Sequence, residues 1–300
     1  MIIPKGKLVI IGGAVDLGTN ISDLENIKKP DHLQFFEHGI LKRIITEAAT
    51  ENPKVEVVTT ASQIPELVGA EYIKAFNQLN VENVNVLDIR SREEAARPNY
   101  LERIKNADVV MFTGGDQLRL SSIFGGTEFL AILKDRYLHE NFLVAGTSAG
   151  AAAASANMIY RGQSNEAMIK GEVQITAGLG FIDSVIIDTH FVQRGRIGRL
   201  FYAVASNPGI LGIGLGEDAG LLITEGKMME AIGSGLTIVV DGRNIIETNI
   251  YNVELGMPVS VENLKVHVMS IYDKFDLRQH KLFINQAVRA VSVEIPDNDK

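Results

Sequence analysis

The chain has 300 residues, of which 46% are hydrophobic and 22% charged, and Gly outnumbers Pro 28 to 8. These proportions indicate a folded α/β protein and exclude a disordered, fibrous or repeat chain. The net charge of −8 argues against nucleic-acid binding, which requires a basic face. Because the chain has no cysteine, disulfides, thiolate metal sites and a cysteine nucleophile are excluded.

Nothing in the sequence predicts an association with membranes. No apolar run reaches the roughly 18 residues that a membrane helix requires, and residues 1–7 lack the pattern of a signal peptide. We therefore expect a soluble, cytoplasmic protein. Since no linker, low-complexity tract or internal repeat interrupts the chain, a single domain over 1–300 is expected, with its core at about residues 5–290.

In the first half of the chain, apolar runs typical of buried strands alternate with segments of helical spacing. Strands are predicted at 7–11, 55–60, 84–87, 107–113 and 141–145, and helices within 31–50, 66–79, 91–106, 118–138 and 151–156. This alternation predicts a mostly parallel sheet with helices on both faces and right-handed crossovers.

The second half of the chain contains mainly short strands. Strand patterns are present at 185–188, 211–214, 219–223, 229–232 and 236–240, and one helix is predicted at 197–205. Because mixed sheets often have antiparallel edges, these strands predict an antiparallel C-terminal extension of the same sheet.

The segment 146–150, Gly-Thr-Ser-Ala-Gly, fits the G-x-S-x-G pattern of a nucleophilic serine. It lies between a predicted strand and a predicted helix, where a sharp turn lifts the hydroxyl of Ser148 out of the sheet. The N–H of Ala149 would then point to the position of an oxyanion. A tight turn with a structural serine is the alternative interpretation.

A serine nucleophile requires a base, and His190 is the best candidate among the six histidines. It follows the predicted strand 185–188, at the carboxyl edge where open α/β sheets bind their ligands. The other histidines are interpreted as solvated or structural: His32, His38, His139, His267 and His280.

Three arginines, Arg194, Arg196 and Arg199, follow His190 closely and concentrate positive charge in an acidic chain. Guanidinium groups bind carboxylates through two parallel hydrogen bonds, so these arginines predict a substrate with free carboxylates. An ion-paired helix start at the surface is the alternative.

A third residue, an acid, is needed to orient the imidazole. Glu166 lies on an irregular segment between the serine and the histidine. The residues alone favour it little over Asp188, Glu172 or Glu217. A surface carboxylate without a catalytic role would look the same.

Two glycine pairs follow predicted strands. Gly115, in the segment Gly114–Gln117, exposes an N–H that suits the second half of an oxyanion hole, and Asp116 and Gln117 could bind polar groups of a substrate. A turn with Asp116 as helix N-cap is the alternative. The segment 12–18 does not match a dinucleotide fingerprint, and the chain has no phosphate loop. We therefore expect a loop there, and neither a cofactor nor a metal.

Together, these motifs resemble the cyanophycinases. The resemblance covers about residues 5–290 and is most specific in the block from Asp188 to Leu200. The motifs that carry it are Gly114–Gln117, Gly146–Ala151, Asp188–Leu200, Ile232–Gly235 and Val239–Gly242. It implies a serine peptidase with a flavodoxin-like fold, related to the aspartyl dipeptidases and distantly to glutamine amidotransferases, that forms a homodimer.

The resemblance also implies residue roles. Ser148 is the nucleophile, His190 the base, and Glu166, eighteen residues after the serine, the acid. The positions that match the substrate pocket are Gln117, Asp188, Arg194, Arg196 and Arg199. Two departures touch this pattern: Thr189 replaces the usual Gln in the pocket, and 216–219 reads Gly-Glu-Asp-Ala instead of Asp-Glu-Asn/Asp-Thr.

The implied substrate is cyanophycin, a polyaspartate whose β-carboxyls carry arginine through isopeptide bonds, and the implied product is the β-aspartyl-arginine dipeptide. The arginine carboxylate of each unit suits the three arginines, and its guanidinium suits acidic residues of the pocket. A peptidase of the same group that cleaves aspartyl or isoaspartyl dipeptides is the alternative. The sequence does not decide between the polymer and short Asp-containing peptides.

Overall fold

The computed structural model describes residues 2–18 and 39–286. The helices are α1 (Ile40–Glu47), α2 (Pro65–Gln78), α3 (Arg92–Ala95), α4 (Pro98–Asn106), α5 (Gln117–Phe124), α6 (Glu128–His139), α7 (Ala149–Ala154) and α8 (Ile197–Ser206). The strands up to the middle of the chain are β1 (Lys7–Ile11), β2 (Val55–Val58), β3 (Val84–Leu87), β4 (Val109–Phe112), β5 (Leu143–Thr147), β6 (Asn157–Arg161) and β7 (Gln174–Ala177). The later strands are β8 (Val185–Thr189), β9 (Leu211–Leu215), β10 (Ala219–Thr224), β11 (Met228–Gly233), β12 (Thr237–Asp241), β13 (Glu247–Thr248), β14 (Val261–Glu262), β15 (Lys265–Met269), β16 (Lys274–Asp276) and β17 (Lys281–Phe283).

Within the described residues, nine strands form a central sheet in the order β17-β16-β11-β10-β1-β5-β4-β2-β3. The run from β1 to β3 is parallel throughout. The run from β1 to β17 is antiparallel. The predicted α/β class, a mostly parallel sheet with an antiparallel C-terminal extension, is confirmed.

Helices cover both faces of the central sheet because the side chains of β1 alternate between two hydrophobic cores. Val9 and Ile11 pack in a core with α1 and α2. Leu8 and Ile10 belong to the core of the opposite face, together with residues of α4, α5, α6 and α7. All four side chains are fully buried, as expected for a strand that is covered on both faces.

The second half of the chain also builds a separate sheet, in the order β15-β12-β9-β8. The predicted extension of the central sheet is therefore found for β10 and β11, whereas the strands predicted at 185–188, 211–214 and 236–240 form their own layer. Two glycines of β9 allow side chains to pack closely on this sheet. A Cβ on Gly212 would lie 2.7 Å from Val204 of α8, and one on Gly214 would lie 2.5 Å from Phe191.

Two predicted helices are each divided in two. The segment 91–106 forms α3 and α4, because Pro98 disfavours helical backbone in the preceding residue and begins a new helix. The segment 118–138 is divided at Gly125–Gly126, and Thr127 caps α6 by accepting a hydrogen bond from Leu130 N–H. The helix predicted within 31–50 is described only from residue 39 onwards.

The longest described helix, α2, has 14 residues, and none of the described helices is long and apolar enough to cross a membrane. His32 and His38 lie outside the described residues. The remaining four histidines lie within them, and His190 is at the end of β8.

Candidate active site

Ser148 lies in the turn between β5 and α7, as its motif predicts. Its backbone has φ 50° and ψ −109°, a conformation that non-glycine residues adopt at a cost and mostly at functional sites. The glycines of the motif make this turn possible, because a Cβ on Gly146 would lie 2.5 Å from the carbonyl carbon of Gly150. The backbone N–H of Ser148 donates to the carbonyl of Ile11 at 2.8 Å.

His190 follows β8, and its Nε2 lies 3.0 Å from Ser148 Oγ. Its backbone also has a positive φ, 49°, and its N–H donates to the carbonyl of Gly12 at 2.8 Å. The imidazole packs directly on Gly13, where a Cβ would lie 2.4 Å from Cε1 of the ring. The structure thus brings the predicted nucleophile and base together, and a residue with a side chain at position 13 would collide with the base.

Glu217, and not Glu166, is the carboxylate beside this imidazole. Glu217 Oε1 lies 2.9 Å from His190 Nδ1, and the backbone N–H of Glu217 donates to Gln193 Oε1 at 3.1 Å. Glu166 is exposed, and its carboxylate has no hydrogen bond to a described residue. The contact that the resemblance implied for Glu166 is therefore made by Glu217, one of the alternatives that the residues left open.

The reason lies in the topology. Glu217 is in the short loop between β9, in the second sheet, and β10, in the central sheet. This loop comes to the edge where β5 and β8 end. The number of residues between Ser148 and an acid does not show whether the fold brings that acid to His190.

The hydrogen bonds also determine which nitrogen of His190 carries a proton. A carboxylate only accepts, so Nδ1 donates to Glu217, and Nε2 is left to accept from the hydroxyl of Ser148. In this tautomer the imidazole can remove the hydroxyl proton while the carboxylate stabilises the resulting imidazolium.

The end of β1 and the two residues after it bond the backbones of Ser148, His190 and Asp218, the residue that follows Glu217. The carbonyls of residues 11–13 accept, in chain order, the N–H groups of Ser148, His190 and Asp218 at 2.8, 2.8 and 3.0 Å. The carboxylate of Asp218 accepts from both the N–H and the hydroxyl of Ser234. The sequence predicts only a loop at residues 12–18, but two glycines directly after a buried strand are a signal for a close approach of backbones.

Two unpaired backbone N–H groups lie near Ser148. Ala149 is the first residue of α7, and the first N–H groups of a helix have no partner within it. Gly115 has φ 138°, and a Cβ there would lie 2.1 Å from the carbonyl oxygen of Ala61. Its neighbour Gly114 lies beside the serine, since a Cβ on it would be 3.4 Å from Ser148 Cβ. Neither Ala149 nor Gly115 donates to an acceptor among the described residues.

The Asp188–Arg199 pair lies behind the turn that follows His190. Arg199 donates to both oxygens of Asp188 at 2.5 and 2.6 Å, and the two side chains are only 8% and 1% exposed. Asp188 also accepts from the N–H of Thr189, itself a buried residue. The charged groups of Asp188 and Arg199 are therefore enclosed and bind each other, and their predicted contacts with the substrate stay predictions.

Arg196 and Arg194 remain more open. Arg196 Nη1 donates to the Thr189 carbonyl at 2.7 Å and lies 3.3 Å from Asp188 Oδ1. Burial, together with the charge of Arg199, lowers the pKa of Arg196 to about 10, so its guanidinium stays charged at neutral pH. Arg194 is exposed, and its guanidinium has no hydrogen bond to a described residue.

Asp116 and Gln117 begin α5 beside Gly115. Asp116 is its N-cap, and Oδ1 accepts from the N–H of Leu118 at 2.8 Å. Gln117 Nε2 donates to the carbonyl of Ile159 at 3.0 Å. The capping alternative is thus found for Asp116, while its second carboxylate oxygen and the amide oxygen of Gln117 have no donor among the described residues.

An α/β fold with a serine on a strand-to-helix turn, aligned with an imidazole and a carboxylate, defines a serine hydrolase. Comparison with known proteins identifies the family. The model of "Peptidase family S51" matches residues 32–231, and the chain belongs to this family of peptidases. It is a serine peptidase.

Curated relatives match most of the chain. A cyanophycinase from Trichormus variabilis is 36% identical over 244 residues, which are 81% of this chain and 82% of that protein. A cyanophycinase from Geminocystis herdmanii is 32% identical over 277 residues, 92% of this chain and 96% of that protein. Among solved structures, a peptidase from an acI-B1 Actinobacterium has a TM-score of 0.60 at 18% identity, covering 90% of this chain and 98% of that one. This last similarity supports the fold.

Proposed function

We propose that the chain is a serine-type exopeptidase that hydrolyses cyanophycin and releases β-aspartyl-arginine. Relatives named cyanophycinases, at 32% to 36% identity over most of the chain, support this substrate. The observation that carries the chemistry is the 3.0 Å contact between Ser148 Oγ and His190 Nε2, with Glu217 behind the imidazole.

In the acylation step, His190 Nε2 takes the proton of Ser148 as Oγ attacks the carbonyl carbon of the scissile peptide bond. Glu217 stabilises the imidazolium that forms. The N–H groups of Ala149 and Gly115 bind the oxyanion of the tetrahedral intermediate, which fits their lack of other acceptors. The imidazolium then protonates the leaving amine, the C–N bond breaks, and Ser148 carries the acyl group.

Deacylation repeats the same proton transfers with water as the nucleophile. His190 removes a proton from the water as its oxygen attacks the acyl ester, and then returns a proton to Ser148 Oγ. The products are a free carboxylate and the regenerated enzyme.

The charges of the site suit the substrate. Each unit of cyanophycin presents an arginine carboxylate and a guanidinium. Arg196 and Arg194 offer positive charge beside the base, and the exposed Asp116 offers a carboxylate beside Gly115. We assign Gln117 and Thr189 to the same pocket, where the Gln117 amide oxygen is available as an acceptor.

Product analysis tests this proposal. The wild-type protein is incubated with insoluble cyanophycin and, separately, with Asp-X and isoaspartyl dipeptides, and the products are identified by mass spectrometry. We expect β-aspartyl-arginine from the polymer and no product from the Ser148→Ala variant. Cleavage of the dipeptides with an intact polymer would instead establish a dipeptidase of the same family.

We further propose that residues 1–300 form one domain, that the protein is a homodimer, and that it acts in the cytoplasm on a substrate stored there. The length and composition support one domain, and the resemblance to the cyanophycinases supports the other two. Light scattering coupled to size-exclusion chromatography measures the mass and distinguishes a dimer from a 32.7 kDa monomer.

A further inference from the structure

Different groups lie on the two sides of Ser148, because the strand that ends at it has a different neighbour on each side. β5, which ends at the serine, lies between β1 and β4 in the central sheet. His190 is on the β1 side, because its backbone bonds Gly12 and its ring packs on Gly13. Gly115 follows β4 on the other side, and there it packs against Ala61 in the loop after β2.

This second side contains two guanidinium groups that meet at one carbonyl oxygen. Arg119 Nε and Arg90 Nη1 donate to the carbonyl of Thr60 at 3.0 and 3.2 Å. The same loop is bonded to the start of α5, since Asp116 N–H donates to the carbonyl of Ala61 at 3.0 Å. The two arginines thus lie immediately beside the loop that carries Gly115.

The two guanidinium groups differ in their remaining bonds. Arg90 Nε forms an ion pair with Asp88 at 2.8 Å, and its Nη1 also donates to the Ser62 carbonyl at 2.9 Å. Arg119 is partly buried and donates only through Nε, so neither of its Nη atoms has an acceptor, and no carboxylate pairs with it, among the described residues. No described residue therefore neutralises its charge, while the Thr60 carbonyl fixes the direction of its guanidinium.

We propose that Arg119 binds a second carboxylate of the substrate, on the side of Ser148 opposite to Arg196. This inference rests on the proposed function, because the arginine of every cyanophycin unit carries a free carboxylate, so both units that flank the scissile bond present one. Two free Nη groups match the two oxygens of a carboxylate. A guanidinium that is already oriented loses little freedom when it binds.

The test combines an enzyme variant with altered substrates. A substrate of two β-aspartyl-arginine units is prepared in three forms: with both arginine carboxylates free, with the first converted to a carboxamide, and with the second converted. We measure kcat/KM of the wild type and Arg119→Gln for each form. With free carboxylates, Arg119→Gln lowers kcat/KM about tenfold, as expected for the loss of a charge-assisted pair.

Coupling identifies the partner of Arg119. We expect one of the two carboxamide substrates to lower kcat/KM about tenfold for the wild type but not for Arg119→Gln. The other carboxamide substrate should lower kcat/KM of both enzymes by the same factor. Titration of the same substrates into the Ser148→Ala and Ser148→Ala/Arg119→Gln variants measures the affinities without turnover and shows the same coupling. Arg278→Gln, which removes an exposed charge from the turn between β16 and β17, serves as the control for long-range electrostatics and stays within about twofold.

Two results overturn the inference: an Arg119→Gln variant with unchanged kcat/KM, or equal losses with all three substrate forms. If Arg119→Gln does not fold by circular dichroism, Arg119→Lys keeps the charge without the two parallel donors, and its coupling to the same carboxamide must be weaker. A wild type that cleaves neither the polymer nor the two-unit substrate removes the proposed function and this inference together. Failure of the proposed function is thus seen with the wild type alone. If only the Arg119 site is wrong, the wild type still cleaves the polymer.

Discussion

The two sheets contribute different parts of the active site. The central sheet supplies Ser148 from a turn whose every residue is small, and the geometry there follows from five consecutive positions. The second sheet supplies His190 at the end of β8 and Glu217 at the end of β9, two positions that are far apart in the chain. A nucleophile can thus be encoded locally, whereas its activation depends on how one sheet packs against another.

The contacts between the sheets are correspondingly tight. The carbonyls of Gly12 and Gly13, which directly follow β1 of the central sheet, accept from the backbone N–H groups of His190 and Asp218, and the imidazole of His190 packs on Gly13. A substitution in the central sheet can therefore displace the base without touching the second sheet. Variants in the central sheet, in the second sheet and at the contact between them measure what each contributes to activity and stability.

The largest loss is expected for the nucleophile of the central sheet. Ser148→Ala should lower kcat/KM by about 10⁴- to 10⁶-fold, because no other group can form the acyl-enzyme. Hydrolysis of cyanophycin gives the rate, and urea unfolding should show a stability close to that of the wild type. A variant with more than a tenth of the wild-type rate would place the nucleophile elsewhere.

The acid of the second sheet is the next largest effect. Glu217→Gln keeps the shape of the side chain but removes the charge beside Nδ1, so kcat should fall about 10²- to 10⁴-fold with little change in KM. Glu166→Gln is the matched control and should stay within about twofold, because that carboxylate is exposed and has no hydrogen bond to a described residue. The opposite ranking would return the role of the acid to Glu166.

Gly13→Ala tests the contact between the sheets. Its methyl group would lie 2.4 Å from His190 Cε1, so the imidazole must move, and a displacement of about 1 Å can cost about 100-fold in kcat. Gly126→Ala is the control, since Gly126 also has a positive φ, 70°, but no atom of the described residues lies within 4 Å of a Cβ there. Equal activity of the two variants would show that the base does not depend on this contact.

The smallest effect on catalysis, and the clearest on stability, is expected for the ion pair of the second sheet. Asp188→Asn leaves the guanidinium groups of Arg199 and Arg196 without their carboxylate in a buried place, which should cost about 3 kcal/mol of unfolding free energy. Urea denaturation measures this value. Asp135→Asn, which removes the exposed partner of His139, should change it by less than about 1 kcal/mol.

The same difference between the sheets explains what could be predicted from the sequence. The parallel strands and Ser148 were predictable, because a buried strand, a turn of small residues and a helix each have a local sequence pattern. His190 was predictable as the end of an apolar strand beside an unusual set of arginines. These features require no knowledge of which strands are neighbours.

The rest depends on packing between distant segments. Glu217 could not be separated from Glu166, because both are acids on irregular segments and only the junction of β9 and β10 brings one of them to the imidazole. The arginines after His190 looked equivalent, yet Asp188 encloses Arg199 while Arg194 stays exposed. Arg199 is buried because α8 packs on the second sheet. The spacing of residues along the chain does not predict this packing.

The carbonyls at the end of β1 also bear on when the catalytic residues become aligned during synthesis of the chain. Residues 11–13 leave the ribosome early, but their partners reach position 218, and such long-range contacts form late in folding. A nascent chain that has emerged as far as Ser148 therefore lacks the contacts that align His190 until Glu217 and Asp218 have also emerged. Formation of the aligned active site therefore has to follow the synthesis of β8 and β9.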